Sequence, residues 1–250
     1  CVKMPDWIQG EIIDIREWTA GLYSLRFRAP LGEFKAGQFV RIAMEIAGEI
    51  VARPYSLVNS PTESELEIFF NIVPDGPLTP KLATLKSGDA IKVASKPYGF
   101  LTVEEVPDTR HLWMLATGTG VGPFISILKS QLAWNKFEEI ILAYSVRTAR
   151  ELAYQDAIAA IGERYKEQLT FVPLVTREQV PGTLNQRITG ALESGELERQ
   201  AGLRLSPDDS HVMMCGNSTM IADVTELLKA RDMRKHLRRE PGHITTEKYH

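Results

Sequence analysis

The sequence has little cysteine, no excess of positive charge and no long apolar run. Only Cys1 and Cys215 are cysteines, so neither a disulfide framework nor a metal site built on clustered thiolates is predicted. There are 29 lysines and arginines against 32 aspartates and glutamates, and the net charge of −3 disfavours nucleic acid as a partner. No stretch is apolar for long enough to span a bilayer, and no signal-peptide pattern precedes the first strand. We therefore expect a cytoplasmic protein without a membrane anchor or a metal.

The usual hydrolase motifs are missing as well. Neither G-x-S-x-G nor H-E-x-x-H occurs, and the 5 histidines lie far apart in sequence. The composition, 44% hydrophobic and 24% charged, is that of a globular protein, and 250 residues suffice for one large domain or two ordinary ones. The pattern changes near residue 105, and we predict two domains, 1–104 and 105–250.

The sequence of the first domain predicts a small antiparallel β-barrel. Short runs rich in Ile, Leu, Val, Tyr and Phe recur at close spacing, with turn residues between them. The predicted strands are 8–18, 22–28, 38–44, a strand that carries Arg53, 66–73 and 90–94, with one helix over 80–85.

The second domain predicts a mostly parallel sheet that is covered by helices on both faces. Ligands of such sheets bind at the carboxyl ends of the strands, so the residues that follow each strand are candidates for a site. The predicted strands are 111–116, 140–144, 169–175 and 211–214, and they alternate with helices over 124–132, 151–164, 187–194 and 218–230.

One strand of the barrel carries a cation, an aromatic ring and a hydroxyl in close succession. Alternation along the strand puts Arg53 and Tyr55 on one face and Pro54 and Ser56 on the other. Arginine suits a phosphate, tyrosine a stacked planar ring and serine a hydrogen bond at the edge of that ring. The alternative is an ordinary strand with a surface arginine and a core tyrosine.

Two loops offer backbone N–H groups to a phosphate. The loop Gly76-Pro77-Leu78-Thr79 precedes the helix over 80–85, in which Thr79 suits the N-cap and Pro80 the first turn. The loop 117–123 joins a buried strand to a helix, and its GxGxG spacing, without a following Gly-Lys-Ser/Thr, disfavours a P-loop NTPase. In each case the alternative is a turn that binds no ligand.

Three arginines follow strands of the second domain. Arg147, Arg177 and Arg187 follow these strands, and no Asp or Glu stands at the end of the second strand. This combination favours binding of the 2′-phosphate of NADP over binding of the ribose hydroxyls of NAD. Solvated surface arginines are the alternative. Cys215 follows the last strand, where a cofactor would lie, although nothing in the sequence indicates a reactive thiol.

The C-terminus contains a basic run and ends in aromatic residues. Residues 231–239 include five lysines and arginines and form either a solvated face or a docking patch for an acidic protein. Tyr249 is either part of a frayed terminus or a lid over a flat ring.

Jointly these motifs resemble those of the bacterial FAD-containing ferredoxin (flavodoxin)–NADP reductases of the plant-type superfamily. The similarity covers nearly the whole chain and implies an N-terminal FAD-binding barrel and a C-terminal NADP-binding α/β domain. The motifs that carry it are Arg53-Pro54-Tyr55-Ser56 with Asn59-Ser60-Pro61, Val73-Pro74-Asp75-Gly76 to Thr79, Ala116 to Pro123, Cys215-Gly216-Asn217, and Pro241-Gly242-His243 to Tyr249-His250.

The resemblance also implies a role for individual residues. Arg53 would bind the FAD phosphate, while Tyr55 would stack on the isoalloxazine and Tyr249 would cover its opposite face. Ser56 would approach the flavin N5, and Cys215 and Glu247 would line the nicotinamide pocket, so that Tyr55, Ser56, Cys215, Glu247 and Tyr249 form the catalytic set. The other cofactor-binding residues would be Pro54, Phe69, Pro77, Leu78, Thr79, Thr119, Arg147, Arg177, Arg187 and His250, the last in place of a tryptophan that can end related chains.

The implied activity is hydride transfer between NADP(H) and FAD, with single-electron exchange between FAD and ferredoxin or flavodoxin, by a monomer. Two alternatives stay open. One is an NAD(P)H:flavin reductase or diaphorase without a dedicated protein partner, and the other is a non-catalytic nucleotide-binding or sensor module.

Overall fold

The computed structural model describes residues 5–249, which form an antiparallel sheet followed by a parallel one. The strands of the first sheet are β1 (Trp7–Thr19), β2 (Leu22–Arg28), β3 (Phe39–Ile46), β4 (Glu49–Ser56), β5 (Leu66–Asn71) and β6 (Ala90–Ala94). Those of the second are β7 (His111–Thr117), β8 (Glu139–Val146), β9 (Leu169–Val175), β10 (Ser210–Asn217) and β11 (Ile244–Tyr249). Their spatial orders are β4-β3-β6-β1-β2-β5 and β11-β10-β7-β8-β9. The predicted fold class is confirmed.

Contacts between its two edge strands close the first sheet into a barrel. Leu57, directly after β4, bridges Ile68 of β5, and the Val58 N–H donates to the Glu67 carbonyl at 2.9 Å. Burial of each large apolar side chain stabilises such a core by about 1.5–3 kcal/mol. The core therefore fixes the register of the strand that ends at Ser56. Its members include Leu25, Phe27, Val40, Ile42 and Val93.

The second sheet is buried on both faces, as its continuous apolar strands predict. Along β7 the side chains alternate between two cores, with Met114 on the side of the barrel and Trp113 and Leu115 on the other side. The helices that cover it are α2 (Gly122–Leu128), α3 (Gln131–Lys136), α4 (Gln155–Arg164), α5 (Ile188–Glu193), α6 (Glu196–Ala201) and α7 (Ser218–Lys229), after α1 (Thr79–Leu82) in the barrel.

One apolar core continues from the barrel into the parallel sheet. Val58 and Phe69 of the barrel belong to the same cluster as Met114, Phe124 and Cys215. The two sheets therefore meet through a dry junction, and groups at its rim are held at fixed separations.

Several helices differ from their predicted bounds. The predicted helix over 124–132 is two helices, α2 and α3, and the one over 151–164 begins only at Gln155, after a short 3-10 turn and a left-handed Tyr154 (φ 64°). The helix predicted over 80–85 has four residues, and Thr79 is not its N-cap. Instead the Thr79 hydroxyl accepts a hydrogen bond from the Val73 N–H at 2.8 Å, so it orders the preceding loop.

No helix among the described residues is long and apolar enough to cross a membrane. The same residues contain no group of three or more His, Cys, Asp or Glu side chains that could hold a metal ion.

Candidate functional site at the junction of the two sheets

Side chains from the barrel and from the last strand of the parallel sheet form hydrogen bonds at the junction. The Ser56 hydroxyl donates to Glu247 Oε1 at 3.0 Å and accepts from the Tyr249 hydroxyl at 2.5 Å. Parallel pairing of β10 with β11 places Cys215 opposite Glu247 and Asn217 opposite Tyr249. Four of the five predicted catalytic residues therefore lie together, and the C-terminus up to Tyr249 is a strand rather than a frayed end.

Burial controls the ionisation of this group. It raises the pKa of Glu247 to about 7, against which the hydrogen bond from Ser56 acts. It also raises the pKa values of the Cys215 thiol and the Tyr249 phenol well above their ordinary values. At neutral pH the cysteine and tyrosine are neutral, and Glu247 is the group here that gains or loses a proton.

The fifth residue, Tyr55, directly precedes Ser56 on β4, the strand that also carries the predicted phosphate ligand Arg53. Its half-buried ring meets Phe70 edge-on, with ring centroids 6.1 Å apart, and burial raises its pKa to about 12. Arg53 and Pro54 are exposed. The Arg53 guanidinium donates to the Ala52 carbonyl at 2.8 Å, and no carboxylate within residues 5–249 pairs with it, so it is available to an anion.

The glycine loop lies against the end of β10. A Cβ on Gly120 would approach the Cys215 carbonyl oxygen to 2.4 Å, and one on Gly216 (φ 130°) would approach Thr117 Oγ1 to 2.1 Å. Thr117 Oγ1 also accepts the Asn217 N–H at 2.8 Å. These close approaches require glycine, and they bring the carboxyl ends of β7 and β10 together. This place is beside Ser56, Cys215, Glu247 and Tyr249, which we call the seam.

The other predicted FAD ligands differ in what they can present. Pro77 is exposed, whereas the side chains of Leu78 and Thr79 are buried, so those two residues offer only backbone groups to a ligand. Thr119 is half-buried in the glycine turn. Phe69 is 5% exposed and packs edge-on against Tyr154, with ring centroids 5.1 Å apart, inside the junction core.

The three predicted arginines lie on one rim of the parallel sheet. Arg147 follows β8, Arg177 follows β9 and Arg187 directly precedes α5, and all three are exposed. The Arg177 N–H donates to the Arg147 carbonyl at 2.8 Å, which brings the first two segments together. Arg147 lies 3.4 Å from Glu151, whereas Arg177 and Arg187 pair with no carboxylate of the described chain.

Sequence reasoning missed several residues that hold these groups in place. Thr117 could have been found from its position between a strand end and the glycines. Glu178 and Asn185 connect the arginine segments. They carry no signal in the sequence, because Glu178 accepts from a backbone N–H 29 residues away and Asn185 donates to carbonyls 7 and 10 residues away, and no motif has these spacings. His250 lies outside the described residues.

Comparison with known proteins agrees with this two-part geometry. Residues 17–101 match the oxidoreductase FAD-binding domain family, and residues 114–226 match the oxidoreductase NAD-binding domain family. A flavodoxin/ferredoxin–NADP reductase of Escherichia coli (strain K12) is 45% identical over 247 residues, which cover 98% of this chain and 100% of the relative. The ferredoxin–NADP reductase of Pseudomonas aeruginosa is 36% identical over 95% of each chain.

This chain belongs to the flavodoxin/ferredoxin–NADP reductase family. The crystal structure of a family member from Neisseria gonorrhoeae, described with bound FAD and NADP, superimposes with a TM-score of 0.93 at 32% identity and covers 98% of this chain and 99% of that one. The predicted family is thus confirmed, and the reductase fold accounts for a barrel and a parallel sheet that share one junction.

Proposed function

We propose that this chain transfers a hydride between NADP(H) and FAD and exchanges single electrons with ferredoxin or flavodoxin. The observation that carries the proposal is the contact of Ser56, at the end of a barrel strand, with Glu247 and Tyr249 on the last strand of the sheet. A two-nucleotide reaction needs both rings at one place. This contact joins the FAD-matching part of the chain to β11, which pairs with β10 at the end of the NAD-matching part. When bound, FAD supplies the hydride-accepting and one-electron chemistry that amino-acid side chains lack.

The residues of the barrel fit FAD. The guanidinium of Arg53 is exposed and has no acidic partner in the described chain, as a phosphate ligand requires. Tyr55, one alternation further along the same face, supplies a planar ring with a neutral hydroxyl. The backbone N–H groups of Leu78 and Thr79, directly after the exposed Pro77, would complete the contacts to the pyrophosphate.

The rim of the parallel sheet fits NADP. The exposed guanidinium groups of Arg147, Arg177 and Arg187 would bind the 2′-phosphate, for which arginine forms stronger and more directional hydrogen bonds than lysine. Cys215 lies opposite Glu247 in the pairing of β10 with β11, and the glycine loop that contains Thr119 packs against its carbonyl. The neutral Cys215 thiol would contact the nicotinamide without offering it a competing nucleophile.

Three seam residues would order the reacting rings and exclude water. Ser56 is held by two hydrogen bonds, so its position is fixed before a ligand arrives. Tyr249 covers Ser56 and would have to move for the nicotinamide to stack, so it would gate access. Glu247, with a pKa of about 7, can hold or release a proton beside the Ser56 hydroxyl in the physiological range.

A mixed basic and apolar surface beside the seam suits an acidic redox partner. Phe100 is 62% exposed beneath the Arg238 guanidinium, whose central carbon is 4.4 Å from the ring centroid. The backbone of Phe39 bonds that of Tyr98, two residues before Phe100, and Phe39 also pairs with Ser56. A protein docked on Phe100 would therefore lie one strand from the seam.

The basic segment contributes less free charge than its composition implies. Arg231 pairs with Glu198 at 2.7 Å and Arg238 with Glu105 at 2.7 Å, while the Arg234 guanidinium donates to the Pro241 carbonyl. Lys235 and Arg239 pair with no carboxylate of the described chain. These two cations would attract an acidic ferredoxin or flavodoxin, mainly by increasing the rate of encounter.

The second candidate function is an NAD(P)H:flavin reductase or diaphorase without a dedicated protein partner. The internal ion pairs of two of the five cations in the basic segment favour it, because these two charges already have carboxylate partners. Salt-sensitive electron transfer to an acidic protein would distinguish the two candidates.

The proposal is tested by an anaerobic titration of the FAD-loaded protein, first with NADPH and then with oxidised ferredoxin or flavodoxin. We expect one NADPH to bleach one FAD and the protein acceptor to restore the yellow spectrum. A stoichiometric FAD spectrum that NADPH fails to bleach would instead indicate a non-catalytic module.

Three further expectations, on the domain boundary, the cellular location and the oligomeric state, belong with this proposal. We place the domain boundary at 104/105, between the two matched segments, and limited proteolysis near Pro107 would test it. We also propose a cytoplasmic monomer, in keeping with the single free, buried Cys215 among the described residues. Cell fractionation and sedimentation would test location and oligomeric state.

A further inference from the structure

The three arginines of the rim come from three separate segments of the chain. A 2′-phosphate is bound by several guanidinium groups at once only if these segments keep fixed relative positions, because each long side chain already loses rotamer freedom on binding. The contacts that join the segments therefore affect the affinity for the phosphate.

Glu178 joins the first segment to the second. Its Oε2 accepts the Ala149 N–H at 3.0 Å, two residues beyond Arg147, while the Arg177 N–H donates to the Arg147 carbonyl at 2.8 Å. The carboxylate of Glu178 is thus bound to the backbone of the turn that carries Arg147, although it is a negative charge at an anion-binding rim.

Asn185 joins the second segment to the third. Its side-chain Nδ2 donates to the Val175 carbonyl at 3.0 Å and to the Glu178 carbonyl at 2.6 Å. One amide group therefore fixes both ends of the turn that contains Arg177, and it does so two residues before Arg187. Leu184, beside it, exchanges backbone hydrogen bonds with Pro173 and Val175 of β9.

We propose that Glu178 and Asn185 are positioning residues for NADP specificity, which act through the arginines without touching the nucleotide. The inference rests on the proposed function, because it requires that the arginines bind the 2′-phosphate. The proposal also predicts the direction in which phosphate binding changes when Glu178 is removed, and this direction is opposite to the one expected from charge alone. Simple electrostatics expects removal of Glu178 to strengthen binding of a phosphate nearby, whereas positioning expects removal to weaken it.

The first test compares Glu178→Ala with Glu178→Gln. Glutamine keeps an oxygen that can accept the Ala149 N–H but has no charge, whereas alanine removes both. We expect Glu178→Ala to lower the NADPH-over-NADH preference in kcat/KM and the affinity for 2′-AMP by about three- to tenfold, the range of one lost hydrogen bond. Glu178→Gln should equal or exceed the wild type.

Glu163→Ala serves as the charge control. Glu163 is an exposed carboxylate near the C-terminal end of α4, whereas Arg147 and Ala149 precede the N-terminal end of that helix. Glu163→Ala should leave the preference unchanged. Activity with NADH and the melting temperature should be nearly constant across all three variants, which separates positioning from loss of fold. An unchanged or increased preference in Glu178→Ala would overturn the role of Glu178.

The second test compares Asn185→Ala with Arg177→Gln as a reference. Both should lower the NADPH preference, with the effect confined to KM for NADPH. If Arg177→Gln has no effect, the phosphate assignment itself is wrong. If Arg177→Gln lowers the preference and Asn185→Ala does not, the assignment stands and the positioning role of Asn185 is refuted.

Discussion

At the scale of single residues, Glu247 is the member of the candidate site whose charge state the fold alters near neutral pH. Its folded-state pKa of about 7 lies above the ordinary 4.5, so the folded protein disfavours the carboxylate form. Stability contributed by this group is fully present below pH 4.5 and is lost as the pH rises through about 7. The difference corresponds to an unfavourable contribution of order 1–3 kcal/mol at pH 8.

Glu247→Gln should remove this dependence. We expect the variant to be more stable than the wild type at pH 8 and to approach it in stability at pH 5, because glutamine is neutral throughout. Denaturant unfolding at both pH values measures the effect. In single-turnover reduction by NADPH, the wild type should show a pH transition near 7 that the variant lacks, and an identical transition in both would exclude Glu247 as its source.

Tyr249 has two alternative roles, a gate that controls access of the nicotinamide or a cap that is only structural. Removal of Tyr249 and His250 should change both the affinity for NADP(H) and the turnover several-fold, because the nicotinamide would no longer compete with a phenol hydrogen-bonded to Ser56. Titration with NADP⁺ and steady-state kinetics measure the two quantities. Unchanged values in a folded variant would refute the gate.

At the scale of elements, the strands were more predictable than the helices. Periodicity alone gave β2, β6 and β9 their bounds, because buried strands alternate or form continuous apolar runs. The helices were harder because their ends depend on tertiary contacts. Thr79 has the residue type of an N-cap, yet its hydroxyl accepts from the Val73 backbone instead, and Tyr154 takes a left-handed conformation that its sequence neighbourhood does not signal.

The candidate site was predictable to the same extent. Arg53, Tyr55, Ser56 and the glycine loop occur in local motifs and could be found by reading along the chain. The contact of Ser56 with Glu247 spans 191 residues, and no local pattern indicates it. Only the resemblance to a family pointed to Glu247, whereas Tyr249 was a candidate lid because it is an aromatic residue near the end of the sequence.

The basic segment leads to a prediction at this same scale. Lys235→Gln with Arg239→Gln should slow association with an acidic ferredoxin or flavodoxin several-fold at low ionic strength and reduce its salt dependence, because these cations have no internal partner in the described chain. Stopped-flow kinetics at several salt concentrations measure the rate. Lys166→Gln, outside the segment, is the control, and an equal effect of both changes would exclude the segment as the docking site.

At the scale of the whole molecule, a chain of hydrogen bonds joins the two sheets away from the seam. Trp18 Nε1 donates to Ser24 Oγ at 2.7 Å, the Ser24 and Tyr154 hydroxyls lie 2.5 Å apart, and the Tyr154 hydroxyl donates to Glu67 Oε2 at 2.5 Å. Burial raises the pKa values of both Tyr154 and Glu67. A second contact runs from the Ser126 hydroxyl to the Asn59 carbonyl at 2.7 Å. The chain of hydrogen bonds and this contact together fix the orientation of the two sheets.

Tyr154→Phe should loosen this arrangement. The change keeps the ring but leaves Glu67 without its hydrogen-bond partner and Ser24 bonded to Trp18 alone, so we expect a loss of about 1–3 kcal/mol in unfolding free energy and slower flavin reduction by NADPH. Tyr165→Phe is the matched control, because the Tyr165 hydroxyl bonds Gln131 at the surface and its ring stacks on Trp134. Equal losses in the two variants would show that the buried chain has no special role.

In the proposed reaction both nucleotides meet at the junction beside Ser56, so that the hydride passes directly between them. Single-turnover reduction of the FAD-loaded protein by NADPH, carrying deuterium at one or the other position of the nicotinamide C4, tests it most directly. We expect stoichiometric bleaching that deuterium slows at one of the two positions only. Bleaching that is insensitive to both labels, or no bleaching of bound FAD, would contradict it.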